Sequence, residues 1–221
     1  MLKVKINNAE IYYEEHGAGA ETIVFAHGLL WSGEMFAALV QELKDRYRCV
    51  TFDFHGQGKS EVTQDGYDMD TLSVDAAELI EKLNCAPCHF VGLSMGGFVG
   101  MRLAIRRPEL IKSLTLIETS ADPEPKENVP KYKRMAFIAR LFGLNIVANK
   151  VMPIMFGNSF MNDPLRANQR ERWRQKLVSN NKVGIMRAVN GVITRQGVYE
   201  VPAATVRKFT IAYCTQYYPH S

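Results

Sequence analysis

The pentapeptide Gly92-Leu93-Ser94-Met95-Gly96 constrains the fold of this chain more than any other segment. The apolar residues 88–91 precede it and are typical of a buried strand, and residues 98–104 follow with a helical pattern. A serine between glycines at a strand-to-helix junction predicts a sharp turn, because glycine lets the strand and the helix approach closely. Such a turn lifts the Ser94 hydroxyl clear of the sheet, at the positive end of the following helix.

Apolar runs alternate with amphipathic segments on both sides of this turn. The predicted strands are residues 22–26, 49–54, 88–91 and 113–117, and the predicted helices are residues 34–44 and 71–83. Asn7-Asn8 separates two segments of alternating polarity and predicts an N-terminal hairpin. Buried strands that alternate with helices predict an α/β fold with a doubly wound, mostly parallel sheet.

The sequence changes character after Glu118. Asp122-Pro123-Glu124-Pro125 is a cluster of helix and strand breakers, and residues 129–198 are helical in pattern and rich in Met, Phe and Ile. Such a segment suits a cap over an apolar pocket, and the alternative is that its helices simply cover the sheet. We expect an α/β core over residues 1–122, a helical cap over 123–198 and a residual C-terminal core segment over 199–221.

Composition argues against several classes of partner. The 221 residues carry a net charge of +4 with basic and acidic residues interspersed, which predicts no nucleic-acid partner. No apolar run approaches the ~20 residues of a membrane span, and residues 1–5 lack the apolar region of a signal peptide, so we expect a cytoplasmic protein without a membrane partner. The C-x-x-C of Cys85 and Cys88 has no second ligand pair, so free thiols are expected and no metal site is implied. The sequence implies no organic cofactor either.

Four segments together resemble the α/β-hydrolase family, and most of all its small esterases, enol-lactonases and haloperoxidase-like members. The segments are His27-Gly28-Leu29-Leu30-Trp31, Asp53-Phe54-His55-Gly56-Gln57-Gly58-Lys59-Ser60, residues 92–97 and residues 114–119. In the second segment His55 stands where the family has arginine. The resemblance implies a serine hydrolase that acts on small carboxylic esters or lactones by an acyl-enzyme mechanism.

The resemblance also implies roles for individual residues. Ser94 is the expected nucleophile, and the backbone N–H groups of Leu29 and Met95 are the expected oxyanion hole. The expected substrate pocket is lined by His27, Gly28, Leu30 and Trp31. In this family a histidine such as His27 is structural and not a general base, and His55 is expected to stabilise its turn.

The family pattern fails after the cap, where the usual acid and histidine motifs are missing. Glu118 and Asp122, near the end of the strand after the serine, are the candidate acids, and His220 is the candidate base because it is the only histidine after Ser94. A non-catalytic or impaired binding protein that lacks a complete triad is therefore the alternative function.

The closing strands and helix of the family fold also have no counterpart in the sequence, so the C-terminal part of the fold is expected to be truncated. This predicts an exposed sheet edge at residues 114–118 or 209–214. Exposed edges invite pairing with another chain, so a homodimer through that edge is expected.

Overall fold

The computed structural model describes residues 2–199 and the backbone of Phe209–Ala212. The strands are β1 (Leu2–Ile6), β2 (Ala9–His16), β3 (Thr22–Ala26), β4 (Arg48–Phe52), β5 (Cys88–Leu93), β6 (Ile111–Ile117) and β7 (Phe209–Ala212). The helices are α1 (Ala37–Leu43), α2 (Met69–Lys82), α3 (Met95–Arg106), α4 (Val129–Phe142), α5 (Asn145–Met155), α6 (Asn158–Asn162), α7 (Ala167–Ser179) and α8 (Lys182–Ile193). Single 3-10 turns lie at Gly33–Phe36, Pro108–Leu110 and Pro164–Arg166.

The strands form one sheet in the order β1-β2-β4-β3-β5-β6-β7. The hairpin β1–β2 joins β4 in antiparallel pairing, and every pair from β4 to β7 is parallel. All five residues of β3 are buried, as its continuous apolar sequence requires of a strand covered on both faces. The predicted mostly parallel α/β sheet is therefore confirmed.

The largest departure from the predicted elements lies between β3 and β4. A single helix was expected over residues 34–44, but a 3-10 turn occupies Gly33–Phe36 before α1 begins. A 3-10 turn has three residues per turn, so it rotates the helix relative to a continuous α pattern. Leu39 of α1 is 47% exposed, and Phe36 of the 3-10 turn packs against Phe25 at a ring distance of 5.0 Å.

One of the two predicted positions of an exposed sheet edge is wrong. Strand β6 is paired with β5 on one side and with β7 on the other, because Leu114–Ile117 match Phe209–Ala212 in parallel register. The edge expected at residues 114–118 is thus covered. Strand β7 is the outermost strand that the structure describes on this side, and a homodimer through it stays a prediction.

Residues 118–199 form the five helices α4–α8 and connecting turns, with no strand. They have a buried cluster of their own, in which Ala148 and Leu177 pack with Trp31 from the loop after β3. The helical segment is therefore held to the sheet through the loop at the carboxyl end of β3. Within the described ranges no helix has the length and apolar character needed to cross a membrane.

Candidate active site

Three neighbouring strands end at the same place. In the parallel register Ala26, the last residue of β3, lies opposite Gly92 of β5, and Leu93 of β5 lies opposite Ile117 of β6. The residues that follow these strand ends, among them Ser94, therefore meet at one edge of the sheet. Carboxyl ends of parallel strands are where open α/β sheets bind their ligands.

Ser94 stands at the turn between β5 and α3. Its backbone dihedrals are φ 48° and ψ −109°, a conformation that residues other than glycine rarely adopt and that marks backbone strain. The backbone holds this geometry firmly: Ser94 N–H donates to Ile117 O at 2.8 Å, and Ser94 O accepts from Gly97 N–H and from the Thr119 hydroxyl, both at 2.9 Å. The Ser94 hydroxyl has no hydrogen-bond partner among the described residues, so it is left for a ligand.

Two positions of the turn accept only glycine, because a Cβ atom would clash with the neighbouring backbone. A Cβ on Gly92 would lie 2.4 Å from Gly96 O, and a Cβ on Gly96 would lie 2.1 Å from Ala26 O. Both obstacles are backbone atoms, which cannot move aside as a side chain can. The G-x-S-x-G pattern is thus dictated by the contact of α3 with β3 and β5.

Two backbone N–H groups beside Ser94 are unused. Leu30 N–H donates to Gln57 Oε1 at 2.7 Å and Gly96 N–H donates to His27 O at 3.1 Å. The N–H groups of Leu29 and Met95, each next to one of these, donate to no acceptor in the described part of the chain. Free N–H groups at a helix start and an adjoining loop are the type of donor that stabilises a developing oxyanion.

Gln57 contacts both the loop after β3 and the start of α3. Its side chain is 1% exposed; its oxygen accepts from Leu30 N–H, and its amide nitrogen lies 3.7 Å from the Met95 sulfur. Leu30 has a positive φ of 74°, so the loop needs such an external bond to keep its shape. The turn that contains Gln57 therefore positions the loop after β3.

His27 is fully buried and has both ring nitrogens occupied. Nε2 accepts from Phe54 N–H at 2.9 Å, so the proton lies on Nδ1, which donates to Gly28 O at 2.7 Å. Burial lowers the pKa of the imidazole, which keeps it neutral. No nitrogen is left to take a proton from a substrate.

His55 connects its turn to α2. Its Nε2 lies 2.8 Å from Asp75 Oδ2, with both side chains buried, and its Nδ1 lies 3.2 Å from the Thr63 hydroxyl. Neither His55 nor Asp75 lines the cavity beside the serine. The geometry is that of a structural contact.

The two candidate acids lie in different environments. Glu118 comes directly after β6 with a positive φ of 47°, and its Oε1 is buried without a hydrogen-bond partner among the described residues. Burial raises the pKa of this carboxyl. Asp122 is exposed, accepts from the Ser120 hydroxyl at 2.8 Å and does not line the cavity. Of the two carboxyls, only Glu118 shares a cavity with the serine.

A cavity of about 390 Å³ lies between the strand ends and the helices α4, α5 and α8. Its polar groups are few and its wall is dominated by aliphatic and Met side chains, as is typical of a small-molecule site. The lining residues are Leu29, Leu30, Leu93, Ser94, Phe98, Glu118, Glu124, Tyr132, Met135, Ala136, Ala139, Leu144, Val147, Val151, Ile154, Met155, Gly157, Ile185, Val189 and Val192.

Of the four expected pocket residues, only Leu30 lines this cavity. His27 is buried behind the strand ends, and a Cβ on Gly28 would lie 2.7 Å from Leu93 Cδ2, so Gly28 is closed off by that side chain. Trp31 turns to the other side of the loop, where it packs edge-on against Trp173 at a ring distance of 5.4 Å. The candidate base His220 lies outside the described residues.

Tyr132, Glu124 and Arg195 lie at the cavity or next to it and were missed from the sequence. Glu124 and Arg195 form an ion pair at 2.7 Å, with 11% and 5% of their side chains exposed, and Arg195 also lies 4.1 Å from the Phe98 ring centre. The Tyr132 hydroxyl makes no hydrogen bond to any described residue. The helical spacing of Tyr132 with Met135, Ala136 and Ala139 would have indicated that they share one face of α4.

The thiols of the C-x-x-C are unreactive in this setting. Cys85 and Cys88 are buried, and burial raises the pKa of the Cys85 thiol to about 11 and that of Cys88 further. A buried thiol of raised pKa is a poor nucleophile. Residues 2–199 contain no group of three or more His, Cys, Asp or Glu side chains that could hold a metal ion.

The chain also matches a known protein family. The model of the alpha/beta hydrolase fold matches residues 21–177, from β3 to α7. The chain belongs to this family. The matched residues include the strained serine turn, the loop after β3 and helices α4–α6.

The curated relatives match about half of this alpha/beta hydrolase. The "Putative carbamate hydrolase RutD" of Stutzerimonas stutzeri is 33% identical over 119 residues, which are 52% of this chain and 45% of the relative. The "Putative non-heme bromoperoxidase BpoC" of Mycobacterium tuberculosis is 36% identical over 111 residues, which are 48% of this chain and 41% of the relative. The matched segments thus span less than half of either relative.

Solved structures match almost the whole chain. An esterase from Thermogutta terrifontis superposes with a TM-score of 0.86 at 25% identity, over 96% of this chain and 80% of the esterase. The enol-lactonase of Burkholderia xenovorans gives a TM-score of 0.82 at 24% identity, over 96% of this chain and 91% of the lactonase. At this identity the second match speaks for the fold alone.

Proposed function

We propose that the chain is a serine hydrolase that cleaves small carboxylic esters or lactones through an acyl-enzyme. The observation that carries the proposal is the Ser94 hydroxyl, which has no partner among the described residues, at a strained turn on the wall of an apolar cavity. Strain at such a position is retained where it serves a site. The names of the similar proteins, which include hydrolases and an esterase, agree with this class of reaction.

In the first step the Ser94 oxygen attacks the carbonyl carbon of the ester and the carbonyl oxygen becomes negatively charged. The N–H groups of Leu29 and Met95 stabilise this oxyanion, and each such donor contributes about 10²–10³-fold in rate. The base that takes the Ser94 proton passes it to the leaving alcohol oxygen. The same base then deprotonates a water, which attacks the acyl-enzyme, and the proton returns to the Ser94 oxygen as the acid leaves. The backbone supplies both donors, so the side chains at these positions are free to line the pocket.

The proton of Ser94 needs an acceptor. We assign Glu118 as the acid in preference to Asp122, because its unpartnered oxygen borders the cavity while Asp122 is exposed and bonded to Ser120. Of the two carboxyls, only Glu118 could therefore orient a base against the serine. His220 is the proposed base, as the only histidine that follows Ser94 in the sequence.

The cavity limits the substrate. At about 390 Å³ it suits a small ester or lactone, and its aliphatic wall favours an apolar acyl or alcohol group. We propose that residues 123–198 act as a cap on a core of residues 1–122, with 199–221 as a remaining core segment, because α4, α5 and α8 supply most of the cavity wall. The cap would then set substrate choice.

Hydrolysis of short-chain p-nitrophenyl esters tests the proposal. Ser94→Ala is expected to lower kcat by roughly 10⁴–10⁶-fold. Ser120→Ala, which removes a hydroxyl that does not line the cavity, should leave kcat within twofold. His220→Ala tests the proposed base separately. Equal rates for wild type, Ser94→Ala and His220→Ala would contradict the catalytic proposal and favour the alternative of a binding protein.

A further inference from the structure

The charges of this chain are divided between its two halves. Residues 128–199 contain thirteen Lys and Arg but only two acidic residues, Asp163 and Glu171, whereas residues 1–127 contain twelve Lys and Arg and twenty Asp and Glu. The expectation of interspersed charge is therefore wrong. A strong charge asymmetry between halves indicates a partner of opposite charge.

The positive half also exposes large apolar side chains. On α4 and at the start of α5, four of them lie 52–67% exposed: Phe137, Leu141, Phe142 and Ile146. Phe137 and Leu141 are four residues apart and share one face of α4. The opposite face, with Met135 and Ala139, lines the cavity. Helix α4 therefore lines the cavity with apolar side chains and also exposes Phe137 and Leu141 to solvent.

Basic residues border this outer face. Lys133 lies one turn before Phe137 on α4, and Lys150 lies one turn after Ile146 on α5. Lys133, Arg134 and Lys150 are exposed and form no ion pair with any described residue. By contrast, Arg172 and Lys176 on α7 are both paired with Glu34 of the core half, at 2.7 Å and 2.6 Å. The α4–α5 face is thus where positive charge is left uncompensated beside apolar surface.

We propose that the α4–α5 face, defined by Phe137, Leu141, Phe142 and Ile146 with Lys133, Arg134 and Lys150, docks on an anionic lipid surface. An apolar face bordered by Lys and Arg is the pattern of interfacial helices, which bury the apolar side chains among the acyl chains and place the cations at the headgroups. The expectation of no membrane partner came from the lack of a long apolar run, which excludes a span but does not address a surface contact.

Two other occupants fit the face less well. A nucleic acid would use the cations but would leave four large apolar side chains against phosphate and water. A second copy of the chain would cover the apolar residues but would bring two strongly positive helical segments together, and like charges oppose such an interface. An anionic bilayer satisfies the charge and the apolar surface together.

Vesicle flotation tests this inference without reference to catalysis. The full chain is mixed with vesicles of phosphatidylcholine, or of equal parts of phosphatidylcholine and phosphatidylglycerol. We expect binding to the mixed vesicles only, weakened at about 0.5 M salt, since the Debye length shortens there. The combined variant Lys133→Glu, Arg134→Glu, Lys150→Glu should bind at least 100-fold more weakly, since each basic residue contributes about fivefold and a reversal adds repulsion.

Matched variants separate the face from net charge. Lys5→Glu, Lys44→Glu, Arg46→Glu makes the same change of charge on the core half and should still bind. Phe137→Ser, Leu141→Ser keeps the charge and should bind at least tenfold more weakly. Equal binding by all three variants, or no binding to either vesicle by the wild type, would overturn the inference. Loss of a dimer in the Phe137→Ser, Leu141→Ser variant, measured by light scattering in the absence of vesicle binding, would assign the face to self-association instead.

Discussion

Glu118 and Ser94 follow directly after neighbouring parallel strands whose last residues, Ile117 and Leu93, are in register, and both side chains line one cavity. The Glu118 Oε1 atom is buried there without a partner among the described residues. A buried, unpaired carboxyl oxygen is costly, and such groups persist where they have a role. The proposed assignment of Glu118 as the acid rests on this relationship.

Glu118→Gln should lower the rate of ester hydrolysis by about 10²–10⁴-fold, the range for loss of an acid–base group, because the amide keeps the shape but not the charge. Asp122→Asn is the matched control, since it neutralises an exposed carboxyl four residues away that does not line the cavity. Its rate should stay within twofold of the wild type. Equal effects of the two changes on kcat would contradict the assignment.

The raised pKa of Glu118 predicts how stability depends on pH. The Glu118 carboxyl keeps its proton to a higher pH in the folded state than in the unfolded chain. The free energy of unfolding should therefore fall as pH rises from the ordinary pKa of Glu through the raised pKa of Glu118. Urea midpoints across this range should show a smaller fall for Glu118→Gln than for the wild type. If both proteins fall in parallel, Glu118 is not the titrating group.

Gly96→Ala should destabilise the fold by about 1–3 kcal/mol or more, because its Cβ would meet the Ala26 carbonyl oxygen at 2.1 Å. Gly100→Ala in the same helix is the control. The nearest atoms to its Cβ would be side-chain atoms, at 2.9 Å from the buried Phe90 ring and 3.0 Å from Leu114. These can shift where a backbone carbonyl cannot, and alanine gains helix propensity, so the loss of stability should be smaller than for Gly96→Ala. Chemical denaturation should show this difference, and equal losses of stability would contradict the close contact of α3 with β3.

Tyr132→Phe should change which esters are preferred. Burial raises the pKa of the Tyr132 phenol, which keeps it protonated, and its hydroxyl is free to donate into the cavity. We expect kcat/KM for p-nitrophenyl 4-oxopentanoate to fall about 5–10-fold, the value of one hydrogen bond, and that for p-nitrophenyl pentanoate to stay unchanged. An equal loss on both esters would mean that Tyr132 only shapes the wall.

Much of the fold could be predicted because local pattern and tertiary structure agree in it. The continuous apolar run at residues 22–26 predicted β3, which the structure contains. The breaker cluster after Glu118 predicted the end of the strands before the helical segment, and the structure has neither helix nor strand there. The 3-10 turn before α1 could not be predicted in this way. Its Gly33 is fixed by a hydrogen bond from its N–H to Asp53, 20 residues away.

The site was harder to predict than the fold. Ser94 could be found because its turn is local and its glycines are sterically required. The family resemblance placed Trp31 in the pocket, but its ring packs on Trp173, which is remote in sequence. Tyr132 and Arg195 reach the cavity region only through the packing of α4 and α8, and a single sequence gives no measure of that packing.

Labelling with a fluorophosphonate tests the central claim most directly, because the probe reacts only with an activated serine at a formed site. Intact-mass and peptide analysis should find one adduct on the wild type, on Ser94, and the same adduct on Ser120→Ala. Ser94→Ala should remain unlabelled. An unlabelled wild type, or a Ser94→Ala variant that is labelled as fully as the wild type, would contradict the account of Ser94 as the nucleophile.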